Sequence, residues 1–151
     1  MAGTERLGAN DASALRASAD TPGRSLRRSC VLVAEDEDQV RDLTIELLTS
    51  HGFDAIAARH GGEAVALFRA HANQIDAVLL DLSMPVMDGV TVLAEMQRQK
   101  PSVRVVLTSG HDESEGSLAT EGSVSVSFLQ KPYRAEKLVS QLLALMEARE
   151  N

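Results

Sequence analysis

The chain has 151 residues, 44% hydrophobic and 25% charged, with a formal net charge of −7. That is one domain's worth of protein with an ordinary globular composition and enough length for a self-sufficient core. No apolar run reaches the ~20 residues of a membrane-spanning helix, and residues 1–29 show no apolar core of a secretory signal. The single cysteine, Cys30, excludes an internal disulfide and a cysteine-based metal cluster. Together these features predict a cytoplasmic protein without membrane insertion.

Charge is unevenly spread. Residues 1–29 hold five arginines (Arg6, Arg16, Arg24, Arg27, Arg28) against Glu5, Asp11 and Asp20, so the excess acid falls on the remainder. That sign argues against direct nucleic-acid contact by the folded part, because phosphates are bound by neutralising Lys and Arg. It suits a domain that gathers carboxylates around a cation.

In chain order, residues 1–29 are rich in Ala, Ser, Gly, Arg and Asp and broken at Pro22-Gly23. They read as a flexible tail or linker, with residues 30–149 as the folded domain. The basic cluster Arg24 to Arg28 reads as part of a solvated linker. Cys30–Ala34 is wholly apolar, as a strand buried on both faces should be. Val40, Leu43, Leu47 and Leu48 predict one face of a helix, stopped by Gly52. A second strand is predicted over Phe53–Ala57, then a helix opened by Gly61-Gly62 and carrying Ala64, Val65, Leu67 and Phe68. Ala77–Leu80 is a third buried strand, ending at Asp81. Val90, Leu93, Ala94 and Met96 predict the next helix, closed by Pro101, and Val103–Leu107 a fourth strand with Arg104 inside it. Residues 111–123 allow only a short, weak helix. Val124–Leu129 alternates as an edge strand does, and Leu138, Leu142, Leu145 and Met146 mark the last helix. Strands alternating with helices predict an α/β fold: a doubly wound, five-stranded parallel sheet with helices on both faces. Ligands in such sheets sit beyond the carboxyl ends of the strands.

The residues leaving the strands form a chemically coherent set. The first strand ends in Glu35-Asp36-Glu37-Asp38, the third in Asp81-Leu82-Ser83, the fourth in Thr108-Ser109-Gly110-His111, and the fifth in Gln130-Lys131-Pro132. Carboxylates crowded on one rim repel unless a hard divalent cation neutralises them, and Mg²⁺ favours a sparse oxygen site of this kind. A Lys and a Ser/Thr hydroxyl opposite are what a phosphoryl oxygen requires. Glu37 and Asp38 read as a solvated acidic helix start, and Asp88-Gly89 as loop and helix-start residues. His51 and His71 read as helix-end residues and His60 as a helix-start residue. Cys30 reads as a small buried hydrophobe.

Four segments in order resemble the receiver (response-regulator, CheY-like) domain of two-component signalling: Val31–Glu37, Asp81–Gly89, Leu107–Gly110 and Phe128–Tyr133. The resemblance runs from about Cys30 to Glu147. It implies a (βα)5 flavodoxin-like fold with strand order 2-1-3-4-5. It implies that Asp81 is the phosphoacceptor, taking a phosphoryl group from a phosphohistidine. It also implies that Glu35, Asp36, Asp81 and the backbone carbonyl of Ser83 hold Mg²⁺, and that Lys131 and Ser109 bind phosphoryl oxygens. Thr108 is the alternative hydroxyl; Ser109 is preferred because it lies 28 residues after Asp81 and 22 before Lys131. Phe128 falls at the switch aromatic position, and Ser83 and His111 at rim positions that modulate phosphoryl lifetime. The family's Lys-Pro bond, here Lys131-Pro132, is expected to be cis. Three residues or regions depart from the pattern. Glu35 stands where many receivers have Asp, Phe128 lacks a Tyr hydroxyl, and the stretch before the fifth strand lacks the usual Gly-Ala.

The resemblance implies a histidine kinase or histidine phosphotransfer domain as partner, and a signalling switch rather than an enzyme acting on a separate substrate. Two other readings compete. A haloacid-dehalogenase-like phosphohydrolase needs a second Asp two residues after the nucleophile, where this chain has Ser83. A pseudo-receiver scaffold would not need the complete acid, hydroxyl and Lys set. Neither G-x-G-x-x-G nor G-x-x-x-x-G-K-[ST] occurs, which disfavours a nucleotide-binding module. The few residues after the last helix lead to the expectation of a stand-alone receiver or the terminal receiver of a hybrid sensor kinase, the second being preferred. Oligomeric state is not legible.

Overall fold

The computed structural model describes residues 28–110 and 125–148. In chain order the elements are β1 (Cys30–Ala34), α1 (Asp38–Ser50), β2 (Asp54–Ala58), α2 (Gly61–His71), β3 (Ala77–Asp81), α3 (Gly89–Gln99), β4 (Val105–Ser109), β5 (Val126–Gln130) and α4 (Ala135–Ala148). The five strands form one sheet in the order β2-β1-β3-β4-β5, and every neighbouring pair is parallel. This is the doubly wound arrangement predicted from the alternation of strands and helices. The weak helix expected over 111–123, and with it His111, lies outside the described residues.

The central strands are apolar because both of their faces are covered. β1, β3 and β4 are buried along their whole length. On one side Leu32, Val78, Leu80, Val105 and Leu107 pack with Ala64 and Phe68 of α2 and Val92, Leu93 and Met96 of α3. On the other, Val31, Val33, Leu79 and Val106 pack with Leu48 of α1 and Leu138, Leu142 and Leu145 of α4. β5 is an edge strand, as β2 is on the other side, and is only partly buried, as its alternating sequence predicts.

Local chemistry sets the helix ends. Asp88 caps α3 by accepting a 2.9 Å hydrogen bond from the Thr91 N–H. His60 caps α2, its ring accepting from the Glu63 N–H at 3.1 Å. His51 is the C-cap of α1 and His71 the last residue of α2, so three histidines lie at helix ends as expected. Arg28 donates to the carbonyls of Thr49, Gly52 and Phe53 at 2.9–3.0 Å, closing the carbonyl end of α1. Cys30 is buried, and the Lys131-Pro132 bond is cis.

Some sequence-based boundaries and faces need correction. The buried stripe of α1 is Arg41, Thr44 and Leu48, whereas Leu43 is 65% exposed. The two polar residues are tolerated inside because they are bonded: Arg41 Nη1 donates to the Glu35 carbonyl and Thr44 Oγ1 to the Val40 carbonyl. In α3 the cap at Asp88 starts the helix so that Gly89, Val92, Leu93 and Met96 face inward, while Val90 is exposed. β2 begins one residue later than expected, because the Phe53 N–H is tied to the Leu48 carbonyl at the end of α1. β4 begins two residues later, behind a turn in which the Val103 N–H donates to the Lys100 carbonyl. That shift places Thr108 and Ser109 inside the strand rather than beyond it.

Candidate cation and phosphoryl site

The carboxyl ends of β1 and β3 are adjacent because these strands pair directly, with Ala34 opposite Leu80. The residues that follow, Glu35 and Asp81, therefore emerge side by side. Glu35, Asp36 and Asp81 each place a carboxylate oxygen within 4.8 Å of the others. Among the described residues this is the group of acidic side chains with the geometry to hold a metal ion. Glu35 and Asp81 are buried, at 5% and 4% exposure. A hard cation with carboxylate oxygens fits such a donor set.

Lys131 completes the site from the far side of the sheet. It follows β5, and its ammonium lies 2.8 Å from Glu35 Oε1 and 3.5 Å from Asp81 Oδ2. Its backbone N–H donates to the Ser109 carbonyl at 2.9 Å, which fixes the turn after β5 against the end of β4. Burial works against the charge on Lys131, but the Glu35 hydrogen bond and the negative charges of Asp81 and Glu35 prevail and raise its pKa above the usual lysine value. Burial and the neighbouring Asp81 raise the Glu35 pKa, against the opposing pull of Lys131.

Asp81 is aimed by its own loop. Its Oδ1 accepts a 3.0 Å hydrogen bond from the Ser83 N–H, and the next peptide is pinned by Leu82 N–H donating to the Thr108 carbonyl at 2.8 Å. Gly89 lets the first turn of α3 close on this segment. A Cβ there would lie 2.6 Å from Leu82 Cα and 2.7 Å from the Asp81 carbonyl oxygen. Ser83, whose carbonyl was expected to serve as a ligand, is exposed at the rim.

Thr108 and Ser109 are both buried, at 2% and 0% exposure. Thr108 pairs in register with Asp81. Val106 packs toward α1 and α4 and Leu107 toward α2 and α3, so alternation sends Thr108 toward the first side and Ser109 toward the second. Phe128, in β5, packs against the core under α2 and α3.

Sequence reasoning missed two neighbours of the site. Arg41 and Tyr133 were assigned no role. The Tyr133 ring packs against the core under α1 and α4, and burial raises its pKa against the opposing influence of the nearby Thr44 hydroxyl. The i, i+3 spacing of Asp38 and Arg41 was the available signal for the first. Beside Lys131, an open groove runs between α1 and the turn after β5, with Val40, Leu43, Leu47, Pro132 and Tyr133 in its walls.

Comparison with known proteins points to one family. The response regulator receiver domain family matches residues 31–143. The sensor kinase CckA of Brucella abortus is 31% identical over 117 residues, which cover 78% of this chain and 12% of that protein. The chain thus spans a small part of that relative. A response regulator receiver domain protein from Clostridium thermocellum superposes with a TM-score of 0.76 at 27% identity, over 81% of this chain and 97% of that one. A chain of the CheX–CheY–BeF3–Mg²⁺ complex from Borrelia burgdorferi superposes with a TM-score of 0.71 at 29% identity, over 78% and 88% of the two chains. With the family matching more than half its length, the chain belongs to the response regulator receiver domains.

Proposed function

We propose that Asp81 accepts a phosphoryl group from a phosphohistidine donor, a histidine kinase or histidine phosphotransfer domain, and that the chain acts as a switch rather than on a separate substrate. The observation that carries this reading is the meeting of three carboxylates with the Lys131 ammonium at the strand ends. A carboxylate oxygen of Asp81 forms the new O–P bond as the donor's P–N bond breaks, and the departing imidazole keeps that electron pair. Mg²⁺ is the cation assigned to Glu35, Asp36, Asp81 and the Ser83 carbonyl, and when bound it neutralises the charge of the carboxylates and the incoming group. The Ser83 N–H holds one Asp81 oxygen, leaving the other on the Lys131 side for attack. Lys131 holds a phosphoryl oxygen, and Ser109, or Thr108 in its place, donates a hydrogen bond to another after transfer. A relative solved with BeF3 and Mg²⁺ supports the cation.

The groove beside Lys131, with Leu43 exposed in its wall, suits a protein donor that covers apolar surface as it delivers the phosphoryl group. Phe128, Ser83 and His111 are assigned to switching and to the lifetime of the phosphorylated form. No helix among the described residues is long and apolar enough to cross a membrane; the cytoplasmic assignment rests on kinship with the receiver domains. Residues 1–29 are assigned to a linker ahead of a receiver unit at 30–149, and the likeness to a sensor kinase supports a hybrid-kinase origin.

Intact mass after incubation with acetyl phosphate and Mg²⁺ tests the reading. The expected outcome is a base-labile gain of one phosphoryl group that needs Mg²⁺ and is absent in Asp81→Asn. Ser109→Ala and Thr108→Val separate the two hydroxyls by which one slows the gain. Folded, Mg²⁺-binding protein that takes no phosphoryl group from acetyl phosphate or from a phosphohistidine donor would overturn it.

A further inference from the structure

Arg41 lies on the sheet-facing side of α1 at 8% exposure, where an aliphatic residue would pack without the cost of burying a charge. Its guanidinium is committed to both ends of the acidic turn. Nη1 donates to the Glu35 carbonyl at 3.0 Å and Nη2 to Asp38 Oδ1 at 2.6 Å. Asp36 and Glu37 lie between those two anchors. Glu37, the N-cap of α1, makes no side-chain cap bond; its carbonyl accepts the Arg41 N–H at 2.9 Å, its N–H reaches Glu35 Oε2 at 3.2 Å, and Lys131 holds Glu35 Oε1 at 2.8 Å. The Glu35 N–H is held by the Ala58 carbonyl at 3.1 Å, which fixes the peptide before Glu35 and leaves the one after it to Arg41.

We propose that Arg41 is a positioning residue for the cation site: by gripping the turn at Glu35 and Asp38 it sets the direction of the Asp36 carboxylate, acting through the turn rather than by touching the cation. This rests on the reading of Glu35, Asp36 and Asp81 as cation ligands. The sign of the effect distinguishes it from simple electrostatics. A guanidinium near a divalent cation repels it, so loss of the charge alone tightens cation binding, whereas loss of the grip weakens it.

The test is calorimetric titration of Mg²⁺ into the full 151-residue chain, with circular dichroism to confirm the fold of each variant. Arg41→Gln is expected to weaken Mg²⁺ binding on the order of 10-fold, the usual effect of losing a group that orients a metal ligand. Arg41→Lys keeps the charge but not the two-armed fork and is expected to weaken it as well. Unchanged or tighter binding in folded variants would overturn the proposal while leaving the cation site intact. If neither variant folds, Asp38→Ala removes the exposed anchor instead. Weakening that persists at about 0.5 M NaCl, where exposed charges are screened, supports the grip, and weakening that vanishes there refutes it. A wild-type chain that binds no Mg²⁺ overturns both this inference and the reading beneath it.

Discussion

At the scale of single residues, the site holds opposed charges in close quarters. Three carboxylates lie within 4.8 Å while one ammonium serves two of them. At that spacing each carboxylate pair repels by about 1–3 kcal/mol in a partly solvated setting. Asp36 is the member of the trio that Lys131 does not contact in its salt bridges. Asp36→Asn is therefore expected to raise the melting temperature of the metal-free protein by a few degrees and to weaken its response to Mg²⁺. Thermal melts in EDTA and in excess Mg²⁺ check both halves. Gly89 gives a second prediction at this scale. The backbone atoms that a Cβ would meet, Leu82 Cα and the Asp81 carbonyl oxygen, cannot swing aside as a side chain can. Gly89→Ala is expected to cost about 1–3 kcal/mol by overpacking and to slow phosphorylation by displacing Asp81, as read by urea unfolding and the mass time course.

At the scale of elements, caps decide more than periodicity. Asp88 starts α3, and its carboxylate is held below the usual Asp range by the Thr91 N–H it caps. A lowered pKa means that the folded state favours the ionised form, so the contribution is present above the ordinary value of 3.8 and fades as pH falls through the folded value beneath it. Asp88→Ala is expected to cost about 1 kcal/mol at neutral pH. Urea midpoints should show the gap between the two proteins narrowing only below pH 3.8. The α1 helix shows why an apolar count misplaced a face. The Val40-Leu43-Leu47 row and the Arg41-Thr44-Leu48 row are adjacent on the helix surface, one residue apart. The polar row can face inward because Arg41 reaches the Glu35 carbonyl and Thr44 bonds back to the Val40 carbonyl of its own helix, while Leu43 stays in solvent beside the groove.

At the scale of the whole molecule, the parallel sheet brings together groups distant in sequence: Lys131 and Glu35 are 96 residues apart and meet at 2.8 Å. On the proposed cation assignment, the same convergence is expected to make stability respond to Mg²⁺. A ligand that binds only the folded state stabilises by about 2.7 kcal/mol at 100 times its Kd. Mg²⁺ at that level is expected to raise the melting temperature of the wild-type chain, with EDTA reversing the shift. A melting temperature indifferent to Mg²⁺ would contradict the cation assignment.

The amino-acid sequence by itself determined the order and type of the described elements. Strands buried on both faces must be continuous apolar runs, and caps such as His60 and Asp88 act within a few residues of themselves. It also determined which residues leave the strands, and hence Glu35, Asp36, Asp81 and Lys131 as a set. The tertiary structure alone decided the rotation of α1, the burial of Arg41, and the sharing of Lys131 between Glu35 and Asp81. Each of these depends on how helix and sheet pack, and no local period encodes a contact made across the sheet.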